Sequence, residues 1–341
     1  MSTSPGWPAR FVLDEHGTPI DPVRFVDLDG PLEEDLPTRL SASSAILVGR
    51  TTAPTAVSPA LLDAVDLTLT EADPVLGRGL PAQLIGVESL ATATAELERA
   101  IADSPAAAVI LATLLRHTPR LSIAEALNAE SLAYSTLLAS GRFARWRASR
   151  PVRNDPGPSR PAVSVDRTGE VLTVVLDRPE RRNAFGRWVR DALCDALDLA
   201  LLDATIAQVV VSGRGPSFCS GGDLDEFGSQ TDLAVAHLIR TTRSVGRRLH
   251  DLGPRVVVEV HGACVGAGTE LAAFAQRVRG HDDAYFELPE LAMGLIPGAG
   301  GTVSLPRRIG RWRTAWLALT GTRIDLATAT AWGLVDTRVG E

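Results

Sequence analysis

The chain has 341 residues, 45% hydrophobic and 22% charged, enough for a sizeable core and for more than one domain. Its net charge of −7 makes nucleic acid or an anionic membrane surface a poor main partner, and no apolar run approaches the roughly 20 residues that span a bilayer. All 34 basic residues are arginine, which excludes a lysine Schiff base and a phosphate-loop lysine, and Cys194, Cys219 and Cys264 lack the spacing of a zinc site or disulfide framework.

The N-terminus shows no apolar signal-like core, and the cysteine usage suits a cytoplasmic setting. Residues 45–73 carry a strand–helix pattern. Moved along by 210 residues, they fall without a gap on a later strand–helix pair: Ile46-Leu47-Val48 on Val256-Val257-Val258, Leu61 on Leu271, Asp73 on Asp283. This is either a decayed internal repeat or two units of like pattern. In either case Ala60 stands where the later copy has Glu270, and Thr55-Ala56-Val57-Ser58 replaces a glycine turn. Residues 91–116 and 122–150 then read as helices.

Four prolines in 150–163 mark a linker at 151–162 between an N-terminal region, 1–150, and a core, 163–341. Beyond it, residues 171–179, 207–213 and 255–262 read as buried strands, and 186–203, 237–253 and 268–278 as helices. The second of these helices reads as a basic, solvated one. The alternation predicts a parallel or mixed sheet covered by helices, with ligands at the carboxyl ends of the strands.

Two glycine-rich turns fall at such ends: Ser220-Gly221-Gly222-Asp223 and Gly266-Ala267-Gly268. Glycine lets backbone N–H groups approach a ligand closely, and a helix start adds its positive dipole. Glu270 follows the second turn and Glu290 lies twenty residues on. An acid, a base and amides that stabilise developing negative charge suit chemistry beside a carbonyl.

These residues resemble the crotonase (enoyl-CoA hydratase/isomerase) superfamily. The resemblance rests on Asp177-Arg178-Pro179 with Arg182-Asn183-Ala184, Phe218-Cys219-Ser220-Gly221-Gly222-Asp223-Leu224, His261-Gly262-Ala263, and Gly266-Ala267-Gly268-Thr269-Glu270-Leu271. Leu288-Pro289-Glu290-Leu291, Gly294-Leu295-Ile296-Pro297-Gly298, Leu319-Thr320-Gly321 and Ala331-Trp332-Gly333-Leu334-Val335 complete it. It implies the α/β ClpP/crotonase spiral of β-β-α units, here with an additional, mainly helical N-terminal region. It also implies Glu270 and Glu290 as catalytic carboxylates and Gly222 and Ala267 as the backbone oxyanion hole. Asn183, Ala184, Ser220, Asp223, Leu224 and Asp225 would line the acyl-CoA path.

Keeping both glutamates favours hydration or dehydration of a 2-enoyl thioester. The alternatives are a double-bond isomerase or another enolate-forming enzyme and, from a different class, a non-catalytic assembly subunit. No metal or redox cofactor is implied; coenzyme A or an acyl-carrier protein would enter with the substrate, in a homotrimer or hexamer. Asp225 stands where a basic residue near the CoA phosphates is common. The family normally continues with helices beyond the Trp-Gly-Leu-Val motif. Residues 89–150 resemble them, with Glu130-Ser131-Leu132-Ala133-Tyr134-Ser135 followed by Phe143, Trp146 and Arg150, so the N-terminal region is expected to supply that lobe. Cys219 and His261 read as structural. Tyr134, Phe143 and Trp146 read as core or adenine-pocket packing, and Arg307, Arg308, Arg311 and Arg313 as a solvated face or CoA phosphate contacts.

Overall fold

The structure is a computed structural model describing residues 11–30, 33–72, 79–151, 153 and 157–340. After a short hairpin, four parallel strands form a sheet in sequence order: β1 (Val23–Asp27), β2 (Ile46–Thr51), β3 (Leu67–Glu71) and β4 (Leu84–Val87). The inner strands are rich in leucine and β-branched residues, including the buried Thr68 and Thr70, as suits strands covered on both faces, whereas the edge strand β1 is only half-buried. Helix α1 (Pro59–Ala64) joins β2 to β3.

Four helices follow: α2 (Leu90–Asp103), α3 (Pro105–His117), α4 (Ile123–Leu138) and α5 (Gly141–Ala148). Each of the two helices expected from sequence is therefore divided. Pro105 starts one new helix at its first position, where a missing N–H is harmless, and Ser140 starts the other by capping the Phe143 amide. A reciprocal capping box, Ser122 with Glu125, starts α4.

The core contains a six-stranded mixed sheet. Its strands are β5 (Val163–Thr168), β6 (Val171–Leu176), β7 (Gln208–Gly213), β8 (Val256–Val260), β10 (Arg277–Gly280) and β13 (Thr337–Arg338), in the order β13-β10-β8-β7-β6-β5. Only β5 and β6 pair antiparallel. A second sheet joins β9 (Ala263–Val265), β11 (Tyr285–Glu287) and β12 (Ile324–Asp325). The helices are α6 (Arg187–Leu202), α7 (Leu233–Thr242), α8 (Val245–Leu252), α9 (Ala267–Ala272), α10 (Gly301–Ile309), α11 (Arg311–Thr320) and α12 (Leu326–Trp332). The long helix expected over 237–253 is broken at Arg243-Ser244, where Ser244 caps the Arg247 amide. The helix expected over 268–278 ends at Ala272, and its last residues begin β10.

The repeat has a structural counterpart. Strands β2 and β3 around α1 follow the plan of β8 and β10 around α9, and in each sheet the two strands are adjacent and parallel. The registers differ by one residue: Val48 pairs with Leu67, whereas Val258 pairs with Val278. β2 is almost wholly buried and β3 is buried up to Glu71, whereas β10 alternates outward arginines with buried residues, so its register decides which residues face out. Asp73, aligned above with Asp283, lies outside the described residues.

The N-terminal helices pack on the core. α2 and α3 lie on α11, and α4 lies on α7 and α10. Arginines fasten this interface. Arg307 donates to the Thr118 and Leu121 carbonyls at 2.8 and 2.7 Å, Arg311 to those of Asp63 and Val65, and Arg313 to that of Leu80 at 2.9 Å. Arg308 holds the Leu334 and Ala275 carbonyls within the core. Arg313 is buried and Arg308 and Arg311 are half-buried, so the reading of a solvated face is corrected for these three, while Arg307 stays exposed as it holds its two carbonyls. Sequence reading sees their charge but not the carbonyls that folding brings to them.

Candidate active site

Backbone pairing places the two glycine-rich turns side by side. Cys219 and Cys264 form an isolated parallel bridge, with the Cys219 amide donating to Ala263 at 3.1 Å and the Val265 amide to Cys219 at 3.0 Å. A second bridge joins Phe185 and Gly222 through the Gly221 carbonyl and the Asp223 amide. A parallel bridge of this kind uses the groups flanking Gly222 and leaves its own N–H unspent. Ala267 is the first residue of α9, so its N–H has no partner within the helix. Among the described residues neither amide has an acceptor, and both residues line one cavity of about 220 Å³.

Glu270, on α9, and Glu290, in the turn Glu290–Met293 after β11, line that same cavity and are 2% and 7% exposed. The Glu270 Oε2 accepts from the amides of Ala299 and Gly301 at 2.7 and 2.8 Å. A side chain at 301 would press on Glu270, since a Cβ there would sit 2.7 Å from its Cγ. Burial raises the Glu270 carboxyl to about 7, opposed by the amides of residues 299, 301 and 298. Glu290 is pushed well above the carboxylate range, first by burial and then by the charge of Glu270, and its Oε2 has no hydrogen-bond partner. Gly266 is required beside it: its φ is +48°, and a Cβ there would lie 2.4 Å from the Glu290 Oε1.

A third carboxyl comes from the N-terminal region. Glu130 on α4 is 2% exposed and accepts from the Gly300 amide at 2.7 Å, the Thr302 amide at 2.9 Å and the Thr302 hydroxyl at 2.7 Å. Burial, then the charge of Glu270, raises it to about 8. Tyr134, one turn further along α4, lines the main cavity with Leu138. Arg240 on α7 stacks over the Tyr134 ring at 5.0 Å and donates to the Ser131 hydroxyl at 3.1 Å, so this part of the supposedly solvated helix faces inward. Sequence reading gave Glu130 no place in the site and Tyr134 only a packing one, in the core or an adenine pocket. The available signal was a glutamate on the inward helical stripe of Leu127, Tyr134 and Leu138.

The expected acyl-CoA path divides. Asp223 lines the cavity, with its carboxylate paired to Arg181 at 2.8 Å. Asp225 pairs with the same arginine at 2.8 Å and accepts from the Arg153 amide at 3.1 Å. Ala184, Ser220 and Leu224 are not among the cavity-lining residues. Asn183 is fully buried behind the wall: its Oδ1 accepts from the Arg178 amide at 2.9 Å and its Nδ2 donates to the Ser217 and Arg214 carbonyls at 2.9 and 3.0 Å. Its φ of +54° also suits asparagine better than alanine. Asn183→Ala is expected to destabilise the protein by about 3 kcal/mol, measured as a lower urea midpoint.

Cys219 is buried, its thiol pushed up to about 12 mainly by burial, and the His261 ring bonds the Gly215 carbonyl at 2.8 Å. Phe143 stacks on Trp146 at 5.7 Å, and Trp146 meets Phe227 at 6.2 Å, seating α5 against the core. Among the described residues no helix is long and apolar enough to cross a membrane.

A sheet of this topology with two strand-end turns and buried carboxyls in one cavity defines an α/β enzyme core. The chain belongs to the enoyl-CoA hydratase/isomerase family, whose model matches residues 166–341. It is 36% identical to the 2,3-dehydroadipyl-CoA hydratase of Escherichia coli (strain K12) over 50% of this chain and 67% of that one. It is equally identical, 36%, to the 1,2-epoxyphenylacetyl-CoA isomerase of the same strain, over 48% of this chain and 64% of that one. The enoyl-CoA hydratase structure from Thermoplasma volcanium GSS1 is similar at 32% identity and a TM-score of 0.49, over 53% of this chain and 73% of that one. The chain thus spans about two thirds of the length of the curated relatives it matches.

Proposed function

We propose that the protein adds water across the double bond of a 2-enoyl thioester, or removes it in reverse, with coenzyme A as the acyl carrier. The observation that carries this reading is the pairing, in one cavity, of two buried carboxyls with two amides that have no acceptor. The thioester oxygen accepts from the Gly222 and Ala267 amides, which grow in value as the enolate forms. Glu270, whose ionised form is favoured by the Ala299 and Gly301 amides, takes a proton from water as its oxygen bonds to Cβ. Glu290, which burial biases toward its protonated form, gives its proton to Cα. Water supplies both atoms of the new C–O and C–H bonds once the two carboxyls re-exchange their protons. With both acids lining one cavity, they would act on one face of the acyl group, and the addition would be syn.

The N-terminal strand–helix unit supports the assignment by contrast: Ala60 stands where Glu270 stands, and Thr55-Ala56-Val57-Ser58 stands in place of the glycine turn. The amide at 267 can be tested in isolation, because proline is tolerated at a helix's first position. Ala267→Pro should fold and bind acyl-CoA while kcat falls about 100- to 1,000-fold. Steady-state kinetics beside calorimetric binding of butyryl-CoA checks this; wild-type kcat would remove Ala267 from the mechanism.

The family's description names isomerases beside hydratases, which makes double-bond migration the competing chemistry. Product analysis separates them: a 3-hydroxyacyl thioester from crotonyl-CoA supports hydration, and conversion of a 3-enoyl into a 2-enoyl thioester with no hydroxy product supports isomerisation.

A further inference from the structure

Glu130 lies outside the stretch that matches the family, yet it enters the same run of backbone as Glu270. Four consecutive amides are shared alternately. Those of Ala299 and Gly301 go to Glu270, and those of Gly300 and Thr302 go to Glu130. The run turns sharply here, with Gly300 at φ +107° immediately before α10 begins. Amides at a helix start have no internal acceptors, so two carboxyls on opposite sides of the run decide where each amide points. Without Glu130, the buried Gly300 and Thr302 amides lose their partners, and such groups are costly to leave unpaired.

The groups around Glu130 are Glu270 on α9, Glu290 in the turn after β11, Arg240 on α7, and Tyr134 on its own helix. Glu130 needs no direct contact with substrate to act. Its hold on 300 and 302 aims the neighbouring amides.

We propose that Glu130 is a positioning residue: by fixing the Gly300 and Thr302 amides, it aims those of Ala299 and Gly301 at Glu270 and sets that carboxylate's orientation and charge state. The N-terminal region thereby completes the site of the core. The effect on rate rests on the hydratase reading, whereas the effect on Glu270 belongs to the protein alone.

Glu130→Ala and Glu130→Gln in the full chain test it, with folding followed by circular dichroism and thermal unfolding. Glutamate carboxyls labelled with carbon-13 are titrated by NMR, the Glu270 signal being assigned by its loss in Glu270→Gln. In Glu130→Ala the proton affinity of Glu270 should rise about tenfold, because amides that favour its ionised form lose their aim. The kcat for crotonyl-CoA should fall about 100-fold with KM changed less than about threefold. Glu130→Gln should recover part of both, since its side-chain oxygen still accepts one amide. An unchanged Glu270 titration in folded Glu130→Ala overturns the proposal, as does a rate loss confined to KM. Should Glu130→Ala fail to fold, Glu130→Gln decides: a raised Glu270 affinity supports the proposal, and wild-type titration and kcat overturn it. Wild-type protein inactive on crotonyl-CoA contradicts the hydratase reading, and the NMR titration then judges Glu130 separately.

Discussion

Exchanging Glu270 for glutamine is expected to lower kcat for enoyl-thioester hydration about 1,000-fold while acyl-CoA still binds. Glutamine keeps the shape and can still accept from the Ala299 and Gly301 amides, but it cannot take a proton from water. The wild-type rate should rise through about pH 7, because burial lifts Glu270 to that value and only its ionised form serves as base. At higher pH the rate should fall as Glu290, held toward its protonated form by burial and then by the Glu270 charge, loses the proton that Cα needs. Glu270→Gln should flatten the acid limb, and Glu290→Gln, with a comparable loss, the alkaline one. Steady-state profiles with thermal unfolding as a fold control check both. An active double variant would remove the carboxyl pair from the mechanism.

Deleting residues 1–150 is expected to leave a 151–341 fragment that is insoluble or lacks measurable hydration. The cut strips α2 and α3 from α11 and α4 from α7 and α10. It removes the acceptors of Arg307, Arg311 and Arg313 and leaves the Gly300 and Thr302 amides without Glu130. The newly exposed apolar surface is of the kind that drives association. Expression, size-exclusion chromatography and the crotonyl-CoA assay provide the check. A stable fragment with wild-type activity would show that the core needs no N-terminal lobe.

The parts of this architecture that were legible in sequence are those encoded locally. Strand β8 is announced by Val256-Val257-Val258, and the turns by glycines at strand ends. Helix interiors were also legible, but their breaks were not. Apolar periodicity runs straight through Ser104-Pro105 and Arg243-Ser244, and the helices are divided there by Pro105 at a first helical position and by the Ser244 cap. The likeness of the two strand–helix units could be seen because β2 and α1 share the apolar pattern of β8 and α9, without the glutamate and the glycine turn.

What stayed hidden depends on distant segments meeting. Glu130 reads as one acid on a helix until α4 docks against the amides ahead of α10. Arg311 and Arg313 read as surface charge until the N-terminal carbonyls arrive. Asn183 was placed on the acyl-CoA path by family pattern, whereas its amide is consumed in bonding three backbone groups. Such pairings carry no sequence spacing to read.

The central claim is most directly tested by incubating the full-length protein with crotonyl-CoA in deuterated water and analysing the product by NMR. Our account predicts loss of the enoyl signal and formation of a 3-hydroxybutyryl thioester carrying a single deuterium at Cα, delivered on the same face as the hydroxyl. Unchanged crotonyl-CoA, or addition with the two groups on opposite faces, would contradict it.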